Sequence, residues 1–96
     1  MRVLITYDVS TLTKVGRRRL RRIAQACVDY GQRVQLSVFE CTLDKTDWVV
    51  LKTRLFKEYD PKEDSMRFYF LCEEDYAKTE HNGVKQPIDL EGPLIV

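Results

Sequence analysis

Asp8 stands directly after the strand-like run Val3-Leu4-Ile5-Thr6-Tyr7, and shortly beyond it come Lys14, Arg17, Arg18, Arg19, Arg21 and Arg22. A carboxylate is a hard oxygen donor that holds Mg²⁺, and such an ion polarises a phosphodiester. Guanidinium forks match phosphate oxygens, so the two groups together describe phosphodiester binding and cleavage. Each also has a plainer reading. A strand-end Asp commonly serves as a turn or cap residue, and a run of arginines can be a solvated helix face. Cations in the first half of a helix, however, face its partial positive end. Arg17 with Arg21, and Arg18 with Arg22, add like-charge repulsion worth a few tenths of a kcal/mol each. A cluster that costs folding energy favours the phosphate reading, and Arg33 extends the same surface. For the metal, one acid neutralises too little of a divalent charge, and no second acid lies beside Asp8. A two-fold dimer that brings Asp8 of each chain to the axis supplies the pair.

Other chemistry is poorly represented. His81, the sole histidine, sits in the polar segment Thr79-Glu80-His81-Asn82-Gly83 without a serine or cysteine partner, as expected of an exposed loop residue. Ser37 and Phe39 either face a phosphodiester or alternate between surface and core, with the core favoured for Phe39. Cys27, Cys41 and Cys72 form no C-x-x-C pair and no histidine lies near them, so they read as small buried hydrophobes with free thiols rather than as a zinc site or a disulfide framework. No phosphate-cradling glycine motif is present.

The elements that must position these residues follow from periodicity. Arg2–Asp8 reads as a buried strand. Leu20, Ile23, Ala24, Cys27 and Val28 fall at helical spacing between about Val15 and Tyr30, and Gly31 stands where a helix takes a left-handed terminal residue. Residues 33–43, RVQLSVFECTL, are strand-like and form one strand, or two if split near Leu36 and Ser37. Asp44, with Asp47 three residues on, caps a second helix whose Trp48, Leu51, Leu55, Phe56 and Tyr59 share a face. Asp60-Pro61 ends it, and residues 65–72, SMRFYFLC, form an aromatic strand. The remainder is loop-like, except that Pro93-Leu94-Ile95-Val96 is too apolar to be left in water and is expected to pair as a strand, completing a dimer. With the middle segment split, the order is strand, helix, strand, strand, helix, strand. That is a ferredoxin-like α+β sandwich: one antiparallel sheet with two helices on one face.

At 96 residues the chain is expected to be one domain, residues 1–96, with 79–96 as its tail. The net charge of +1 hides an asymmetry: eight basic and three acidic residues precede Asp44, while eight basic and twelve acidic residues follow from it onward. Concentrated positive charge binds polyanions. No apolar run approaches the roughly 20 residues of a membrane helix, and no signal-peptide core opens the chain, so a cytoplasmic protein with no membrane partner is expected.

The opening residues 4–9, LITYDV, the arginine-rich first helix and residues 31–41, GQRVQLSVFEC, resemble the family called CRISPR-associated protein two over essentially the whole chain. Residues 80–96, EHNGVKQPIDLEGPLIV, look like the form accompanying type I, subtype C systems. The resemblance implies a ferredoxin-like homodimer in which Asp8 of each chain holds Mg²⁺ or Mn²⁺, with Tyr7, Arg33, Ser37 and Phe39 around the cleft and the arginine-rich helix on the nucleic-acid backbone. It implies a metal-dependent endonuclease acting in spacer acquisition on double-stranded DNA or on single-stranded RNA. The alternatives it carries are a non-catalytic adaptor that holds DNA for the CRISPR integrase and an RNA-cleaving, toxin-like ferredoxin fold. A general RNA-recognition module fits less well, because residues 66–71, MRFYFL, lack the glycines of that motif.

Overall fold

Val3, Ile5 and Tyr7 alternate along the first strand with Arg2, Leu4, Thr6 and Asp8, and this period of two assigns each set to its own side of a sheet. In the computed structural model, which describes residues 1–84, the odd set is buried and the even set is not. The elements run β1 (Arg2–Asp8), α1 (Lys14–Tyr30), β2 (Gly31–Gln35), β3 (Val38–Thr42), α2 (Lys45–Glu58), β4 (Ser65–Leu71) and a single turn, α3 (Glu73–Tyr76). The strands lie in the order β2-β3-β1-β4 with every pairing antiparallel, the ferredoxin-like arrangement. Both long helices pack on one face: Ile23, Ala26 and Cys27 of α1 and Trp48, Leu51 and Leu55 of α2 close over Val3, Ile5, Phe39 and Cys41 of the sheet.

Local chemistry accounts for the boundaries. Thr13 caps α1 by accepting from the Gly16 amide at 3.0 Å, and Asp44 caps α2 by accepting from the Asp47 amide at 2.7 Å. The segment between the helices is two strands, with Leu36 and Ser37 as the turn. Three expectations need revision. Gly31 does follow α1, but its φ of −155° is extended backbone rather than left-handed. Glycine is required there by space, since a Cβ would stand 2.3 Å from the Cys41 sulfur and 2.7 Å from the Glu40 carbonyl oxygen. Phe56 is 46 % exposed, because it follows Leu55 around the helix and leaves the buried face. Cys72 is exposed and caps α3, unlike the buried Cys27 and Cys41. The expected strand at residues 93–96 lies outside the described residues.

Candidate metal and nucleic-acid site

Asp8 ends β1 opposite Ser65 of β4, on the side of the sheet that carries no long helix. The strand period puts it there: Tyr7 turns inward, so its successor turns out. Asp8 is exposed, and among the described residues its carboxylate makes no hydrogen bond and no ion pair, leaving its oxygens available to a cation. The described residues contain no group of three or more potential metal-ligating side chains. The Asp8 carboxylate is a hard oxygen donor of the kind that suits Mg²⁺ or Mn²⁺, and the described residues of one chain supply a single such ligand there.

Tyr7, Arg33, Ser37 and Phe39 do come together, but beneath the sheet and not beside Asp8. The Tyr7 and Phe39 rings stack with centroids 6.2 Å apart, and the Arg33 guanidinium lies over Phe39 at 5.0 Å. The Tyr7 amide donates to the Ser37 carbonyl at 3.1 Å, which ties the end of β1 to the β2–β3 turn. Burial pushes the Tyr7 hydroxyl above its ordinary pKa, and the neighbouring Arg33 and Ser37 offset this only in part. Tyr7 is 6 % exposed and Phe39 0 %, so neither side chain reaches a phosphodiester, and the cleft expected of them is core. Their period-two phase in the strands, the same that buries Ile5 and Cys41, sets this outcome. Arg33 and Ser37 are half-buried at the margin of that core, and Arg33 Nε is buried without a hydrogen-bond partner.

The cations of α1 divide by helical phase. Lys14, Arg17, Arg18, Arg21 and Arg22 are exposed. Arg17 donates to the Thr11 carbonyl at 3.1 Å, and Arg22 approaches Glu58 at 3.5 Å. Lys14, Arg18 and Arg21 form no ion pair among the described residues. Arg19 lies three residues after buried Gly16 and four before buried Ile23, on the inner face of the helix. Its fork grips Asp64 at 2.8 and 3.2 Å. Arg19 is thereby removed from the phosphate-binding set.

Asp64 itself escaped the sequence reading. Its side chain is wholly buried, and besides Arg19 it accepts from the Ser10 amide at 3.0 Å and the Asp60 amide at 2.9 Å. Burial alone would raise this carboxyl, but the Arg19 fork and the two amides prevail and hold it below the usual carboxylate range. The one signal pointing to it was the inward phase of Arg19, which demands an acid partner. Which acid that would be depends on contacts made across 45 residues of chain.

The family model described as CRISPR associated protein Cas2 matches residues 1–79. A relative from Chlorobaculum tepidum, named CRISPR-associated endoribonuclease Cas2, is 59% identical over the full length of both chains. One from Halalkalibacterium halodurans, named CRISPR-associated endonuclease Cas2, is 53% identical over 99% of each. The crystal structure of Streptococcus pyogenes Cas2 at pH 6.5 superimposes with a TM-score of 0.77 at 52% identity, covering 86% of this chain and 100% of that one. Sequence and fold agree along the chain, which belongs to the CRISPR-associated protein Cas2 family.

Proposed function

We propose that this chain is a CRISPR nuclease subunit acting as a homodimer, in which Asp8 of each copy holds Mg²⁺ or Mn²⁺ against a phosphodiester of bound nucleic acid. The observation that carries the reading is the position of Asp8: an exposed carboxylate without a partner among the described residues, on the face of the sheet opposite α1 and α2. The ion, when bound, polarises the phosphoryl oxygen and activates water. The chain's own contribution is to present the carboxylate and to bind the backbone through Lys14, Arg17, Arg18, Arg21 and Arg22. Duplex DNA is the substrate proposed from the basic helix. The endoribonuclease names of several relatives favour RNA as the second substrate to test. Buried, reduced Cys27 and Cys41, their thiols pushed up to about 12 and about 11 by burial, suit a reducing cytoplasm.

A second reading, an adaptor that holds duplex DNA for the CRISPR integrase in spacer acquisition, is favoured by one feature. The basic helix lies on the opposite face of the sheet from Asp8, so binding does not require the carboxylate. Cleavage of duplex and RNA with Mg²⁺ or Mn²⁺, compared between the natural chain and Asp8→Asn, separates the readings. The nuclease reading expects cleavage to be lost in the variant with metal-free binding held or slightly tightened. Equal cleavage by both proteins, free of contaminating nuclease, rejects Asp8 as the metal ligand. No cleavage by either, with binding intact, leaves the adaptor.

A further inference from the structure

We propose that Asp64 is a positioning residue for the Asp8 carboxylate, acting through the backbone of the segment that follows β1. The inference rests on the reading of Asp8 as a metal ligand and adds the residue that holds it in place. Asp8 is the last residue of β1, and its cross-strand partner Ser65 is the residue next to Asp64. Beyond Asp8 the ladder ends. Val9 packs into the core, and the next hydrogen-bonded point is Ser10, whose amide donates to Asp64 Oδ1 at 3.0 Å. Asp8 is therefore held by the sheet on one side, and on the other by the buried Val9 side chain and, one residue further, by the Asp64 contact to Ser10. Asp64 in turn is fixed by the Arg19 fork and by the Asp60 amide, which donates to Oδ2 at 2.9 Å.

The same loop is gripped a second time. A Cβ on Gly16 would stand 2.1 Å from the Ser10 carbonyl oxygen, so the first turn of α1 lies directly against it. Ser10 is thus restrained at its nitrogen by Asp64 and at its oxygen by the helix. Such restraint matters most for a site shared across a two-fold axis. A shift of one Asp8 is repeated in its partner and changes the spacing between the two carboxylates by roughly twice its own size. Mg²⁺ demands oxygen distances of about 2.0–2.1 Å and tolerates little error.

Mn²⁺ binding to the purified full-length chain, followed by electron paramagnetic resonance and calorimetry, tests the role without relying on activity. Asp64→Asn keeps the shape but turns one acceptor into a donor facing N–H groups. It is expected to weaken Mn²⁺ binding by about tenfold or more while circular dichroism and the dimer are retained. Arg19→Lys keeps the cation without the fork and should fall between the two. Gly16→Ala leaves Asp64 untouched and displaces the same loop by contact, so it should weaken binding too. Asp64 with a purely structural role would lower the melting temperature and leave Mn²⁺ affinity of the folded protein at the natural value. That result overturns the proposal. Where Asp64→Asn fails to fold, natural affinity in both Arg19→Lys and Gly16→Ala overturns it equally. Asp8→Asn is the reference: if it abolishes binding and Asp64→Asn does not, only the positioning role falls. If Asp8→Asn leaves binding unchanged, the metal reading falls and the positioning role goes with it.

Discussion

Arg18, Arg19 and Arg21 share one chemistry and have different surroundings. Arg19 faces inward and is bound to Asp64, whereas Arg18 and Arg21 are exposed and form no ion pair among the described residues. Phosphate binding releases counterions in proportion to the contacts made, so the salt dependence of duplex binding counts the arginines that take part. Arg18→Ala with Arg21→Ala removes four cations from a dimer. If all four touch phosphate, the slope of log K against log salt shrinks by about 3.6 units. Arg19→Ala should leave that slope unchanged and lower the melting temperature instead. The check is a salt titration of duplex affinity on both variants. A slope change from Arg19→Ala as large as that from one exposed arginine would return Arg19 to the binding surface.

At the scale of elements, the contacts of Asp64 join the β1–α1 loop, α1 and the α2–β4 loop, and their strength depends on charge. Its folded pKa is depressed, so the stability it contributes is complete above the ordinary Asp value of about 3.9 and is lost as pH falls through the lower folded value. Removing the carboxylate leaves the Arg19 fork without its acidic partner and places an amide donor among N–H groups, which lowers stability. Asp64→Asn is therefore expected to unfold at lower denaturant near pH 7 and to lose less further stability than the natural chain below about pH 4. Asp29 and Glu73, also depressed by their Arg54 and Arg2 partners, remain in both proteins, so the difference between them isolates Asp64. Denaturant midpoints at pH 7 and pH 3 provide the check, and parallel pH profiles would remove Asp64 as the source. Elements with a local signature were legible in the sequence. The Asp44 cap and the alternation in β1 depend on neighbours in the chain, whereas local pattern left residues 33–43 open as one strand or two, and the pairing of β2 with β3 decides for two. Gly31 was placed correctly but for the wrong reason, because the atoms that exclude a side chain belong to Glu40 and Cys41 on the paired strand. Asp64 was missed because nothing local distinguishes it from the solvated acids around it.

For the molecule as a whole, the decisive asymmetry is between the two faces of its sheet. One is closed by α1 and α2. The other bears half-buried Leu4, Val34, Val38 and Leu71, with, among the described residues, only the single turn α3 nearby and the Tyr76 ring under the Arg2 guanidinium at 3.9 Å. Asp8 belongs to this second face, so the surface that carries the proposed metal ligand is also, among the described residues, the one that α1 and α2 leave open. Apolar area of this kind is stabilised by removal from water, and in the proposed homodimer a two-fold pairing through it would supply the second carboxylate at the same time. Dimerisation and metal binding should then fail together when the face is altered and come apart when only the carboxylate is. Leu4→Lys places a charge at the centre of the face. It is expected to sediment as a monomer with native circular dichroism and to bind Mn²⁺ far more weakly than the natural chain. Asp8→Asn, by contrast, should remain a dimer and lose Mn²⁺ alone. If monomeric Leu4→Lys held Mn²⁺ as tightly as the natural chain, one Asp8 would suffice with water, and the need for a second copy would have to come from nucleic-acid binding rather than from the metal.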